Sequence, residues 1–254
     1  MPDDLSVLTR AARPPDEVVS YGEHPDHIAD VRFGGKRAEL RPLVLILHGG
    51  FWRPQYDRTH TGPMAEALAD AGWTVASAEY RRIPGDPDAT LHDVSEAFQK
   101  LPTKVRNHNG SVIVVGHSAG GHLALWIAAR HGAAVLAGAV ALGPAADLSL
   151  AHERKLGDGA TLAFLGKPAQ DCADVDPCRM PSPQVPTALV HGEEDDVVPI
   201  ALSESYVAAH PRARLVRLPA TGHFGVIDPL SAAWPTVMRE LLALIPAAGP
   251  VPSA

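Results

Sequence analysis

The chain is predicted to fold as an α/β protein whose mostly parallel, eight-stranded sheet is flanked by helices on both faces. Short β-rich runs alternate with helical patterns along the 254 residues, and such alternation is typical of a largely parallel sheet. Several of these runs are apolar on successive residues, as in residues 43–47, which suits strands covered on both faces. The length and composition fit one substantial core, so we expect a single domain over 1–254.

Eight strands are predicted in chain order. They cover residues 17–21, 27–33, 43–47, 74–78, 111–115, 135–141, 187–190 and 214–218. Residues 22–26 alone separate the first two strands, a length that suits a hairpin or a similar antiparallel edge. The later strands are expected to form the largely parallel part of the sheet.

Helices are predicted where apolar residues recur near three- and four-residue spacing. They cover residues 62–71, 90–101, 120–131, 202–210 and 232–244. The third helix directly follows the fifth strand, and its Leu123, Trp126 and Ile127 are expected to pack on the sheet. Trp126 is therefore assigned to the core.

A long connection, residues 144–186, separates the sixth and seventh strands. It contains a predicted helix around 161–165 and then the proline-rich stretch 176–186. Long insertions of this kind often cover a site, so we expect a short cap between strands 6 and 7. Residues 1–16 and 246–254 are expected to be flexible tails.

The composition argues against several classes of partner. The chain is 46% apolar and carries a net charge of −7 with scattered arginines, so no nucleic-acid partner is expected. No apolar run approaches the length of a membrane span, and no signal-peptide pattern begins the chain, which favours a cytoplasmic protein. Cys172 and Cys178 lack the neighbouring ligand pairs of a zinc site and are interpreted as free thiols.

The most informative motif is residues 116–120, Gly-His-Ser-Ala-Gly, directly after the apolar run 111–115. A serine in this pattern lies on a sharp strand-to-helix turn, where glycines allow the adjoining elements to approach closely. Such a turn presents the hydroxyl of Ser118 to a base and directs the N–H of Ala119 toward a reacting carbonyl. Ser118 is therefore the candidate nucleophile of a serine hydrolase.

A serine nucleophile needs a histidine base and a carboxylate that orients the histidine. His223 is the only histidine placed after the last strand, so it is the predicted base. The acid should lie after the seventh strand, and the order serine, acid, histidine is that of α/β-hydrolases. From the residues alone, several carboxylates remain candidates for the acid: Asp195, Asp196, Glu193, Glu194 and Asp147.

Three motifs together resemble the α/β-hydrolase superfamily: Gly-His-Ser-Ala-Gly-Gly at 116–121, His-Gly-x-x-Asp-x-x-Val-Pro at 191–199 and Gly-His-Phe at 222–224. The resemblance runs from the third strand to the last helix and implies the α/β-hydrolase fold. It also places the acid at Asp195. The other carboxylates are then interpreted as solvated loop residues.

Residues 48–52, His-Gly-Gly-Phe-Trp, follow the third strand and resemble the H-G-G-x-W and H-G-G-G loops of small esterases and kynurenine formamidases. That resemblance implies an oxyanion hole formed by the backbone N–H groups of Gly50 and Phe51 together with Ala119. His48 is expected to brace this loop rather than react.

Two further features of the same resemblance concern the surroundings of the site. Phe51 and Trp52 could line an acyl or aryl pocket, with Trp52 as a candidate substrate contact; the alternative is that these aromatics only pack. Residues 79–82, Glu-Tyr-Arg-Arg, recur in the esterase-like relatives and are expected to position loops.

These observations predict a serine hydrolase of small carboxylic esters or activated amides, acting through an acyl-enzyme on Ser118. Residues 48–52 together with 223–228 resemble kynurenine-formamidase-like hydrolases, and this resemblance implies kynurenine formamidase (arylformamidase) as a narrower alternative. A ligand-binding or interaction protein is the non-enzymatic alternative. No organic cofactor is expected, because no G-x-G-x-x-G turn or phosphate loop occurs. No metal is expected either, since the nearest histidine pairs lack helical ligand spacing. A monomer or homodimer is expected.

Overall fold

The computed structural model describes residues 4–245, and an eight-stranded sheet forms its centre. The strands are β1 (Glu17–Ser20), β2 (Ile28–Arg32), β3 (Leu43–Leu47), β4 (Val75–Ala78), β5 (Val112–His117), β6 (Leu136–Leu142), β7 (Thr187–Gly192) and β8 (Arg214–Leu218). Their spatial order is β1-β2-β4-β3-β5-β6-β7-β8. β2 pairs antiparallel with both β1 and β4, and the pairs from β4 to β8 are parallel. The predicted mostly parallel sheet and its antiparallel edge are confirmed.

Helices lie on both faces of this sheet. They are α1 (Gly62–Asp70), α2 (Pro87–Lys104), α3 (Ala119–Arg130), α4 (Leu148–Glu153), α5 (Leu156–Leu165), α6 (Ala201–Ala209) and α7 (Trp234–Ala243). α1 and α7 pack on one face with Val44 and Ile46 of β3, while α2 and α3 pack on the other with Leu45. Because side chains alternate along a strand, β3 is buried on both faces, which explains its unbroken apolar sequence.

Predicted element boundaries differ from the observed ones for identifiable reasons. β7 extends two residues beyond the prediction because His191 and Gly192 still pair with β8. α2 begins at Pro87, before the predicted start at residue 90, and the side chain of Asp86 caps it by accepting a hydrogen bond from Ala89 N–H. Proline in the first turn loses no helical hydrogen bond, so it suits this position.

The connection 144–186 contains α4, α5 and two short 3₁₀ turns. α4 was not predicted; it has six residues and is capped by Asp147, whose carboxylate accepts a hydrogen bond from Leu150 N–H. Phe164 and Val175 are buried in the hydrophobic cluster that α2 and α3 share. The connection therefore packs against the core.

Residues 4–16 are held against the rest of the protein. Val7 is buried, Arg10 forms an ion pair with Asp228, and Arg13 forms ion pairs with Glu66 and Asp70. The arginines of the predicted flexible tail therefore reach carboxylates on distant parts of the chain. Residues 1–3 and the predicted tail 246–254 lie outside the described residues.

Two other sequence expectations concern cysteines and membranes. Cys172 and Cys178 are free thiols, as interpreted from the sequence. Within residues 4–245, no helix combines the length and apolar character needed to cross a bilayer.

Candidate active site

Ser118 lies on the sharp turn between the end of β5 and the start of α3. Its backbone has φ +56° and ψ −118°, a region that non-glycine residues rarely adopt. A Cβ atom on Gly116 would overlap the carbonyl oxygen of Gly120, and a Cβ on Gly120 would overlap that of Leu47. Glycine is therefore required on both sides of Ser118, and the turn holds the serine at the end of a central strand.

Asp195 and His223 form a buried hydrogen-bonded pair. His223 Nδ1 lies 2.7 Å from Asp195 Oδ2, while Asp195 Oδ1 accepts hydrogen bonds from the backbone N–H groups of Val197 (3.0 Å) and Val198 (2.7 Å). Donation from Nδ1 to the carboxylate leaves the lone pair of His223 on Nε2. The imidazole is therefore oriented to accept a proton at Nε2.

The charge of Asp195 is stabilised by its neighbours. Burial alone would raise its pKa, but hydrogen bonds from His191 and His223 lower the pKa below its usual range. His191 Nε2 is 3.2 Å from Asp195 Oδ2. Asp195 is thus an anion at neutral pH.

Ser118 and His223 line one cavity of about 360 Å³. The other walls come from the N-terminal segment, the loop after β3, the residue before Ser118 and the segments after β7 and β8: Leu8, Gly50, Phe51, Gln55, Tyr56, Asp57, Thr59, His60, His117, Val197 and Phe224. The volume and the mixture of aromatic and polar walls suit a small organic molecule. The predicted cap, residues 144–186, supplies none of these wall residues.

The loop after β3 lies beside Ser118. A Cβ atom on Gly49 would be 3.1 Å from Ser118 Cβ, and the next three residues, Gly50, Phe51 and Trp52, all have positive φ. Among the described residues, the N–H groups of Gly50, Phe51 and Ala119 donate to no acceptor. Three uncommitted donors in this region are what an oxyanion hole needs.

His48 is fixed in the core behind this loop. Its ring stacks on Tyr80 with centroids 4.3 Å apart, its Nε2 lies 3.1 Å from Glu79 Oε1, and Tyr80 donates a hydrogen bond to its carbonyl oxygen. Burial alone would raise the pKa of Glu79, but contacts with His48 and Arg82 bring it down to about 2. Residues 79–82 thus hold the loop through His48.

Trp52, the candidate substrate contact, is not among the residues that line the cavity. Its Nε1 donates a hydrogen bond to His122 Nδ1 (3.3 Å), and its ring stacks on Phe164 at 4.8 Å. Trp52 therefore joins α3 to α5 inside the core. Phe51, the neighbouring aromatic, does line the cavity.

The other candidate acids lie elsewhere. Glu193, Glu194 and Asp196 are exposed, whereas Asp147 caps α4 and accepts a hydrogen bond from the hydroxyl of Ser205. Of the candidates, the structure brings only Asp195 to His223.

Three functional features were not predicted from the sequence. Gly143, after β6, has φ +49°, and a Cβ there would lie 3.2 Å from Asp195 Oδ2 and 3.3 Å from His223 Nδ1; a glycine directly after a strand was the available signal. His117 Nε2 lies 3.0 Å from the carbonyl oxygen of His223 and holds that segment in place. His60 lines the cavity, and burial together with nearby His48 lowers its pKa to about 4.

Comparison with known proteins finds relatives whose sequences align with part of this chain, and solved structures that match most of it. A protein of Oryza sativa subsp. japonica, "Probable isoprenylcysteine alpha-carbonyl methylesterase ICMEL1", is 30% identical over 110 residues, covering 42% of this chain and 26% of that protein. Kynurenine formamidase of Danio rerio is 30% identical over 110 residues, covering 43% of this chain and 37% of the relative. The matches thus span about a quarter to two fifths of these relatives.

The structure of esterase B from Lactobacillus rhamnosis is similar in fold, with a TM-score of 0.75, 21% sequence identity, and coverage of 94% of this chain and 90% of that one. A family model described by the alpha/beta hydrolase fold matches residues 44–198. This match covers more than half of the chain and includes the turn at Ser118 and the candidate acid Asp195. The chain therefore belongs to the alpha/beta hydrolase fold family.

Proposed function

We propose that the protein is a serine hydrolase that cleaves small carboxylic esters or activated amides through an acyl-enzyme on Ser118. One observation carries the proposal. Ser118, on a strained turn, shares a cavity with His223, whose Nδ1 is hydrogen-bonded to the buried carboxylate of Asp195. That combination of a presented hydroxyl and an oriented imidazole is the requirement for nucleophilic catalysis by serine.

In the first half of the reaction, His223 Nε2 takes the proton of Ser118 as Oγ attacks the substrate carbonyl carbon. The carbonyl oxygen becomes an anion, which the N–H groups of Gly50, Phe51 and Ala119 stabilise. Each such donor typically lowers the barrier by about 3 kcal/mol. The imidazolium then gives its proton to the leaving alcohol or amine, and the acyl group remains on Oγ.

In the second half, water replaces the leaving group. His223 takes a proton from the water as its oxygen attacks the acyl carbon, and the same N–H groups receive the new oxyanion. Collapse returns the proton to Ser118 Oγ and releases the carboxylic acid. Asp195 remains ionised throughout and stabilises the positive charge on His223.

Covalent labelling with an organophosphate tests this proposal. We expect one adduct, on Ser118, and loss of both labelling and ester turnover in Ser118→Ala with an unchanged melting temperature. Ser111→Ala is the matched control, because its hydroxyl bonds only to Asn109 on the surface, and it should label and turn over normally. A folded wild-type protein that neither labels nor hydrolyses esters would favour the ligand-binding alternative.

Aryl formamides are a second candidate substrate class. Kynurenine formamidases of Danio rerio, Salmo salar and Drosophila melanogaster match this chain at 30%, 32% and 28% identity, and Phe51, Tyr56 and Phe224 line the cavity. Aromatic walls would suit an aryl group. The test compares kcat/KM for N-formylkynurenine with kcat/KM for p-nitrophenyl acetate and butyrate. A preference for the esters by orders of magnitude would rule out the formamidase assignment.

A further inference from the structure

A left-handed turn, residues 157–159, lies at the start of α5 in the connection between β6 and β7. Its φ and ψ angles are +56° and +44° at Gly157, +54° and +45° at Asp158, and +77° and +26° at Gly159. This conformation is unfavourable for an L-residue such as Asp158, so the surrounding structure has to hold it. Backbone strain of this kind is common where a segment shapes a functional site.

The turn packs against the loop after β3. Arg53 Nη2 donates a hydrogen bond to the backbone carbonyl oxygen of Gly157, and Arg53 Cζ lies 5.7 Å from the centroid of the Phe51 ring. A Cβ atom on Gly157 would lie 2.6 Å from both Cδ1 and Cε1 of Phe51, which is closer than two carbon atoms can pack. The ring of Phe51 therefore rests directly on the backbone of Gly157.

The same ring lines the cavity that contains Ser118 and His223. Residues 157–159 are not part of the cavity wall, so the ring of Phe51 stands between the turn and the site. Because Gly157 and Arg53 enclose the ring on its outer side, the cavity is the space into which it can move. The width of the cavity therefore depends on how closely Phe51 approaches Gly157.

We propose that Gly157 is a positioning residue that determines which substrates fit beside Ser118. Any side chain at position 157 would press the Phe51 ring into the cavity and narrow it. The connection 144–186 thus shapes the site through Phe51, although it supplies no wall residue itself. The effect on substrate choice rests on the proposed function, whereas the contact between Gly157 and Phe51 does not.

Gly157→Ala and Gly159→Ala form a matched pair of variants. Both replace a glycine of positive φ in the same turn, so both carry a similar backbone penalty. A Cβ atom on Gly159 would meet no atom within 4 Å. Only Gly157→Ala therefore adds a methyl group that pushes against Phe51.

Melting temperatures test the contact without catalysis. Gly157→Ala should melt at least about 2 °C below Gly159→Ala, because overpacking adds to the shared backbone penalty. In a Phe51→Ala background the two glycine variants should melt at the same temperature, since the methyl group then has room. A difference that persists without the ring would overturn the assignment of Phe51 as the group that Gly157 positions.

Three esters test the width of the cavity: phenyl acetate, phenyl benzoate with a bulkier acyl group, and 1-naphthyl acetate with a bulkier leaving group. In Gly157→Ala, kcat/KM for at least one bulky ester should fall about tenfold or more relative to phenyl acetate, as expected when a pocket loses room for a methylene group. The ratios should stay at the wild-type values in Gly159→Ala. The ratio that falls identifies the side of the scissile bond on which Phe51 lies.

A general loss of structure would lower turnover of all three esters together and leave the ratios unchanged. Phe51→Ala should raise the ratio that falls in Gly157→Ala, and adding Gly157→Ala to it should have no further effect. Unchanged ratios in an active Gly157→Ala protein would overturn the effect on substrate choice.

The role of Gly157 and the proposed function fail in different ways. Equal melting temperatures and equal ratios in Gly157→Ala and Gly159→Ala would overturn the role of Gly157 even if all three esters are hydrolysed. A wild-type protein that hydrolyses none of them would overturn the proposed function, and the melting temperatures would still decide whether Gly157 positions Phe51.

Discussion

At the scale of single residues, the candidate site depends on which atom of His223 carries the proton. Asp195 accepts a hydrogen bond from Nδ1, which leaves Nε2 free to act as a base. An amide at position 195 could instead donate to Nδ1 and move the proton to Nε2, where it would block that role. For the base role of His223, it therefore matters that residue 195 is a carboxylate, and an amide of nearly the same volume does not replace it.

Asp195→Asn is expected to lower kcat for p-nitrophenyl acetate by about 10³- to 10⁴-fold, because it stabilises the wrong tautomer of His223. Asp196→Asn, one residue away and exposed, should leave kcat within about twofold, as expected of a surface substitution. Steady-state kinetics beside far-ultraviolet circular dichroism would check both. Equal losses in the two folded variants would contradict the assignment of Asp195.

Sequence reasoning brought Asp195 to the same edge of the sheet as His223 but did not predict the path of Trp52, and the difference is physical. The end of the seventh strand placed several carboxylates at that edge, where parallel neighbours bring their loops together, and the resemblance of residues 191–199 to the α/β-hydrolases chose Asp195 among them. The direction of Trp52 depends on three successive positive φ angles at residues 50–52. Two of these residues are not glycine, so no local preference predicts that path. The side chain consequently entered the core rather than the cavity.

At the scale of secondary-structure elements, the close approach of β5, α3 and the end of β3 creates the turn at Ser118. Gly120 is the contact point, since a Cβ atom there would lie 2.0 Å from the carbonyl oxygen of Leu47. Any side chain there must push α3 away from the sheet, and with it the N–H of Ala119. A side chain at position 120 should therefore disrupt both the packing of these elements and the ester turnover.

Gly120→Ala is expected to lower the free energy of unfolding by about 1–3 kcal/mol, the range for overpacking a closed site, and to abolish ester turnover. Gly132→Ala is the control, because a Cβ atom there would meet no atom within 4 Å; its effect should stay within about 0.5 kcal/mol. Urea unfolding measures both. A Gly120→Ala protein as stable and active as Gly132→Ala would show that α3 is not held this tightly.

Long apolar elements were predictable, and the short capped ones were not. All eight predicted strands and the helices that flank them occur in the structure, since burial on one or two faces leaves a periodic pattern in the sequence. α4 has only six residues, so it is too short to show a helical period, and it depends on the cap supplied by Asp147. Such an element is specified by its contacts with the rest of the fold.

At the scale of the whole molecule, ion pairs between distant segments connect the N-terminal residues to the rest of the fold. Arg10 and Asp228 are 218 positions apart, so nothing in the local sequence of the polar, proline-containing N-terminus predicts this contact. Charge composition is visible in a sequence, but the pairing of charges depends on the folded topology.

Acid should destabilise the whole fold through its buried carboxylates. The pKa of Glu79 falls from 4.5 to about 2, so in this interval the unfolded state binds more protons than the folded state. Its contribution, about 3 kcal/mol by linkage, is therefore complete above about pH 4.5 and is lost as the pH falls toward 2. The lowered pKa of Asp195 acts in the same direction, whereas the raised pKa of Asp176 acts in the opposite one.

Glu79→Gln should therefore lower the stability at pH 7 and flatten its decline between pH 5 and pH 2, as measured by urea unfolding at several pH values. Glu193→Gln, on an exposed carboxylate, should keep the wild-type dependence on pH. Because Glu79 also holds His48 behind the loop of Gly50 and Phe51, ester turnover at pH 7 should fall in Glu79→Gln but not in Glu193→Gln. Parallel stability curves for the wild type and Glu79→Gln would mean that this carboxylate is not stabilised in the fold. The link from residues 79–82 to the loop of Gly50 and Phe51 would then lose its electrostatic basis.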